Sequence, residues 1–211
     1  NVKSVSSRQE QQEFVRFLIK DIQAMERMLR EGWFETDPIR IGAEQEMCLV
    51  DHHLKPLHVN LKALELIDNP AFTSELANFN LEANMKPLNF EAKCLSDMHM
   101  ALKQTLDAAQ EKVESLGANI LLCGILPTIR KADVEIANIT PLDRYRALMD
   151  GLKALRGEAF ELRISGIDEL NLKQDTAMLE ACNTSFQVHL QVRPDEFVRK
   201  YNYAQALAGP A

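Results

Sequence analysis

Glu44 and Glu46 stand two residues apart in the stretch RIGAEQEMCLVD, residues 40 to 51. Residues two apart share a face of an extended strand. Gly42, Glu44, Glu46, Cys48 and Val50 therefore line one side, and Ile41, Ala43, Gln45, Met47 and Leu49 the other. Neighbouring carboxylates repel each other, and the arrangement becomes favourable when a cation sits between them. Two more stretches alternate in the same way. In ANFNLEANM (77–85), Phe79, Leu81 and Ala83 oppose Asn78, Asn80, Glu82 and Asn84. In TSFQVHLQV (184–192), Phe186, Val188, Leu190 and Val192 oppose Ser185, Gln187, His189 and Gln191. The three polar faces offer Glu44, Glu46, Glu82, Asn84, Gln187 and His189, and they carry no lysine or threonine. Carboxylate oxygens suit a hard cation such as Mg²⁺, and a histidine nitrogen can join around Mn²⁺ or Mg²⁺. Each motif alone reads more plainly as the wet face of an antiparallel sheet. The case for a cation site is the coincidence of three such strands.

Strands with one polar and one apolar face need helices on the apolar side. The expected class is therefore α+β, with an antiparallel or mixed curved sheet and helices on one side. Residues 8–31 have the i, i+3, i+4 pattern of an amphipathic helix through Phe14, Phe17, Leu18, Ile22, Met25 and Leu29, stopped by Gly32. A short helix follows over LKALELID before Asn69-Pro70. Residues 96–117 read as a long helix with Ser96 as N-cap and Gly117 as stop. The apolar run NILLCGIL (119–126) reads as a strand buried on both sides. Pro141 and Pro194 open two more helices. The segment 156–181 has no clear period.

The net charge of -7 argues against a nucleic-acid or anionic-membrane surface. No apolar run approaches the roughly 20 residues of a membrane helix, and the opening NVKSVSSRQEQQ has no signal-peptide core. Cys48, Cys94, Cys123 and Cys182 lack CxxC spacing, which suits free thiols in a reducing cytoplasm. His52, His53, His58 and His99 read as ordinary surface residues. The chain begins with Asn rather than Met and ends at YNYAQALAGPA. It is expected to be a piece of a larger protein.

Five motifs, in order, carry a resemblance. RIGAEQEMCLVD resembles the opening G-x-E-x-E strand of the second glutamate–cysteine ligase family, a group of carboxylate–amine ligases. FNLEANMKPL is similar to its next acidic strand, CGILPT to its strand ending in Gly-x-x-Pro, ITPLDRYRALM to its Pro-x-x-Arg-Tyr segment, and CNTSFQVHLQV to its Cys-Thr-x-Gln-Val-(Asn/His) strand. The resemblance implies a glutamine-synthetase-like catalytic domain over residues 40–211, incomplete at its C-terminus. Residues 1–39 add little to it and are expected to be an N-terminal helical segment packed on that domain. It implies a two-step reaction in which ATP phosphorylates the side-chain carboxylate of glutamate and an amine, typically that of cysteine, displaces phosphate. The implied cofactor is Mg²⁺ or Mn²⁺, with ATP as co-substrate. Carried over by position, Glu44 and His189 would hold the metal near the nucleotide phosphates, and Glu46 and Glu82 the one near glutamate. Gln187 would stand beside His189, and Arg144 would meet a carboxylate or the transferring phosphoryl group.

Asn84 and Met85 replace the Thr-Pro that related sequences tend to have, and the later strands that would complete the site are absent. The piece alone is expected to be inactive. Its partners would be small molecules, with no nucleic acid or membrane, and a homo-oligomer is compatible with the sequence. Two alternatives stand beside the leading reading: a ligase for another acid–amine pair, and a non-catalytic homologue that keeps the fold as a binding or regulatory module.

Overall fold

The computed structural model describes residues 7–157, 159–174 and 176–209. Residues 1–6, part of the opening stretch without a signal-peptide core, and 210–211 lie outside the described residues. In chain order the elements are α1 (Arg8–Glu31), β1 (Arg40–Val50), α2 (Asn60–Ile67), β2 (Phe72–Ser74), β3 (Asn80–Asn84), β4 (Leu88–Asn89) and α3 (Cys94–Val113). They continue with β5 (Asn119–Leu121), α4 (Asp143–Arg156), β6 (Phe160–Ser165), β7 (Glu169–Gln174), α5 (Met178–Ala181), β8 (Phe186–Leu190) and α6 (Phe197–Leu207). The class is α+β with an open antiparallel sheet. The main path of the sheet is β2-β3-β1-β4, and β5 and β8 also pair with β1. No helix among the described residues is long and apolar enough to cross a membrane.

The described chain divides into two compact units, the first containing residues 43–85 and 98–187, the second residues 7–42, 86–97 and 188–209. In the first, Met47 and Leu49 of β1 meet Leu81 and Ala83 of β3, Phe72 of β2, Ala63 and Ile67 of α2, and Ala109 and Val113 of α3. Period-2 alternation sends these strand residues to one side, and each large one contributes about 1.5–3 kcal/mol by burial. The same alternation sends Glu46 and Glu82 to the opposite side. A second cluster packs Phe79 with Ala77, Val134, Met178 and Cys182.

In the second unit, α1 starts on a capping box between Ser7 and Glu10 and stops at Gly32, whose φ of 69° is left-handed. Glycine takes that conformation without the Cβ clash other residues meet. Arg40 and Ile41 pair with Asn89 and Leu88 of β4, and Gln191 N–H donates to Arg40 O.

Three expectations are corrected, and one unassigned stretch gains its elements. Helix α3 opens at Cys94, whose N–H donates to Glu91 O, so Ser96 lies inside the first turn and is no N-cap. The run 119–126 forms strand only over Asn119–Leu121. Beyond it Thr184 donates to Gly124 O and Asn183 bridges Ile125, which draws the chain off β1 and leaves Leu122 and Ile125 exposed. The unassigned stretch 156–181 holds a β6–β7 hairpin in register from Phe160↔Gln174 to Ser165↔Glu169, followed by α5. Strand β8 is exposed along its whole length, so its apolar face is uncovered.

Candidate metal and substrate site

Register decides which acids meet. β1 and β3 pair antiparallel with Glu46 directly opposite Glu82 and Glu44 opposite Asn84. Directly opposite residues on one face bring their side chains within contact range, so the strand pairing alone puts two carboxylates together. A third joins them. Glu75 follows β2, which pairs with β3 through Thr73↔Glu82. Carboxylate oxygens of Glu46, Glu75 and Glu82 all lie within 4.8 Å of one another, and all three residues are half-buried.

Each acid is held from a different part of the first unit. Ser185 clamps Glu46 through its N–H and hydroxyl, at 2.7 and 3.0 Å from the same oxygen. Asn84 donates its side-chain amide to Glu82 at 2.8 Å. Leu76 N–H donates to the Glu75 carboxylate at 3.2 Å. The Glu75 backbone is pinned as well. Its carbonyl accepts from the buried Thr140 hydroxyl at 2.6 Å, and Asn60 donates to that hydroxyl at 2.7 Å.

The electrostatics fit. Burial, then the neighbouring Glu82 carboxylate, push the Glu75 carboxyl up from 4.5 to about 7, and Glu46 adds to the rise. Arg144 opposes it. The Arg144 Nη2 donates to Ser74 O at 2.9 Å, to Ser74 Oγ at 3.0 Å and to Tyr145 Oη at 2.6 Å, with its guanidinium over the Tyr145 ring. These bonds fix one end of the guanidinium on β2, next to Glu75.

Of the residues singled out from the sequence, the structure brings Glu46 and Glu82 together and anchors the guanidinium of Arg144, from helix α4, on Ser74 of the adjoining strand β2. Glu44 shares their face of β1, one position along. Gln187 is exposed on β8, two residues after Ser185 and so on the same alternating side. His189 belongs to the second unit, where an added Cβ on Gly42 would lie 3.7 Å from its Cβ. Sequence reasoning missed Glu75, because SELANF shows no alternation. Its one signal was an acid seven residues before Glu82, separated by a turn-forming Ala-Asn. Ser185, Thr140 and Asn60 were missed for the same reason: their roles are made by contacts far apart in the chain.

Two nearby features are not part of the acid cluster. Cys48 and Cys123 are free thiols, the Cys123 thiol donating to the Cys48 sulfur at 3.9 Å, and Cys182 stands close enough to affect Cys48. Burial pushes the Cys48 thiol up to about 12 and the Cys182 thiol up to about 11, so both stay protonated at neutral pH and are poor metal ligands. A cleft of about 390 Å³ is lined by Ile136, Ile139, Thr140, Pro141, Arg146 and Met149 among others. None of the three clustered acids lines it.

An oxygen-only donor set of three half-buried carboxylates fits a hard divalent cation. No curated protein and no solved structure matches the chain. Residues 40–211 do match one family, described as glutamate-cysteine ligase family 2 (GCS2), and that match includes every acid of the cluster. The chain thus belongs to glutamate-cysteine ligase family 2.

Proposed function

We propose that this chain carries the acidic face of an ATP-dependent ligase that joins the side-chain carboxylate of glutamate to an amine, that of cysteine in the first instance. The observation that carries the reading is the meeting of Glu46, Glu75 and Glu82 within 4.8 Å. Three acids with a combined charge this crowded are costly unless a cation or a proton relieves them. Mg²⁺ or Mn²⁺ bound there would neutralise charge on the acceptor carboxylate and the transferring phosphoryl group.

The residues of the chain divide the remaining work. Ser185 and Asn84 orient Glu46 and Glu82 so that their outward oxygens converge. Thr140 and Asn60 hold the Glu75 backbone in place. Arg144, tethered through Nη2, presents its planar fork to a carboxylate or phosphoryl oxygen and steadies the glutamyl phosphate until the amine displaces phosphate. By family resemblance Glu44 would hold the cation nearer the nucleotide phosphates, with Gln187 as a neighbour. The setting is cytoplasmic and the product is a γ-glutamyl amide.

In the full-length protein, release of phosphate from ATP, with glutamate and a panel of amines in Mg²⁺, tests the reaction. Glu46→Gln should cost on the order of 10²-fold or more in turnover, the cost of one preorganised electrostatic contact. Glu65→Gln, on the exposed side of α2, should cost nothing. Mn²⁺ binding followed by electron paramagnetic resonance supplies a readout independent of turnover. Equal activity and equal Mn²⁺ binding in the two variants would leave the acid face as a wet sheet surface.

A further inference from the structure

Helix α1 lies outside the family-matched residues 40–211 and buries none of its own side chains. Yet it is strongly two-faced. Val15, Leu18, Ile19, Ile22, Met25 and Leu29 are between 46% and 60% exposed. A run of apolar side chains on one helix face usually marks an interaction surface. Position by position it is a heptad seam. Gln11, Val15, Leu18, Ile22, Met25 and Leu29 are spaced four, three, four, three and four residues apart, the alternation of a coiled-coil core.

That spacing reads the same from either end. Laid against a second copy of itself in the opposite direction, the seam puts Leu18 on the partner's Ile22, Val15 on the partner's Met25, and Gln11 on the partner's Leu29. The flanking rows agree with this. Phe14 meets the partner's Met28, and Ile19 meets its own counterpart at the two-fold axis. Glu26 meets the partner's Gln12. One like-charge contact remains, Asp21 on the partner's Asp21. A parallel pair would instead put Asp21 against Glu26 twice. Charge along the helix favours the same choice. Up to Lys20 there are three basic and two acidic residues, and after it two basic and three acidic. An antiparallel pair lays each half on its opposite and aligns the helix dipoles head to tail. Phe17 falls off the seam, and Lys20 covers its ring at 5.5 Å.

We propose that α1 is a dimerisation helix, and that its occupant is the α1 of a second copy of this chain, packed antiparallel about a two-fold axis through Ile19. Such an isologous contact is self-complementary and closes at two subunits.

Sedimentation velocity of the chain over a wide concentration range tests it. The chain should run as a dimer. Ile22→Lys should weaken the dimer more than about 100-fold, because it puts a charge at the centre of the seam on both subunits. Phe17→Lys, off the seam, should leave it intact. Helix content by circular dichroism should be the same in all three. Orientation is read by cross-linking: Leu18→Cys mixed with Ile22→Cys should form a mixed disulfide under air oxidation with a copper catalyst, and neither should link to itself. A chain monomeric at every concentration, a dimer indifferent to Ile22→Lys, or self-linked Ile22→Cys would each overturn the proposal.

Discussion

Strands β1 and β8 carry the same alternating pattern of apolar and polar residues, and they meet opposite fates. Along β1 only Arg40, Glu44 and Glu46 escape full burial, and Met47, Leu49 and Val50 are sealed. Along β8 every residue is exposed, Val188 and Leu190 by more than half. The difference lies in neighbours. β1 is paired by β3, β4, β5 and β8, and its core face is covered by α2 and α3. The corresponding face of β8 has no such cover among the described residues. Alternation states which side chains travel together. It does not state whether anything comes to cover them.

The comparison is sharpened most by paired truncations. Leu49→Ala in β1 should cost about 2–5 kcal/mol of unfolding free energy, because its surroundings cannot collapse into the cavity. Val188→Ala in β8 should stay within about 0.5 kcal/mol, as for an exposed site. Urea unfolding of both variants decides it. Similar costs would mean that β8 is covered in solution and that the contrast fails.

A smaller effect is expected at Gln45. From the sequence it looks like a neutral comparison for Glu46, one residue away and on the other face. The structure buries it at 9% exposure, with its amide donating to Glu46 O at 2.7 Å. Gln45→Ala should therefore cost about 1–2 kcal/mol by removing a buried hydrogen bond, and it is not a clean control for catalysis. A thermal melt unchanged by Gln45→Ala would show that this bond adds nothing to β1.

The smallest and most diagnostic effect is a pH dependence. The Glu75 carboxyl is held at about 7 in the fold, above its ordinary 4.5. The native state then binds its proton more tightly than the unfolded chain, so stability is full below about 4.5 and is lost as pH rises to about 7. Glu75→Gln should flatten the melting temperature across that window and raise it above pH 7. Millimolar Mg²⁺ should do the reverse of the proton, stabilising the wild-type chain increasingly as pH rises and Glu75 gives up its proton. A profile unchanged by the substitution would remove Glu75 from the cluster.

Much of the fold was legible in the sequence because it is local. Helix α1 ends where Gly32 adopts its left-handed φ, and Gly117 stops the turn after α3 in the same way. Glu46 and Glu82 were legible as polar-face residues because period 2 is a property of the backbone. The β6–β7 hairpin was not, since its exposed strands need no apolar alternation.

What the sequence determined by itself is therefore the set of side chains each element can offer: two acids on one face of β1, an acid on β3, an apolar seam along α1. Only the tertiary structure decided which of them meet. Glu46 faces Glu82 because β1 and β3 pair in one register, and a slip of one residue would turn each acid toward the core. Glu75 joins them because Thr140, 65 residues away, holds its carbonyl. Contacts at that separation have no period to read. They exist only once burial of the core around Met47 and Leu81 has brought the strands together.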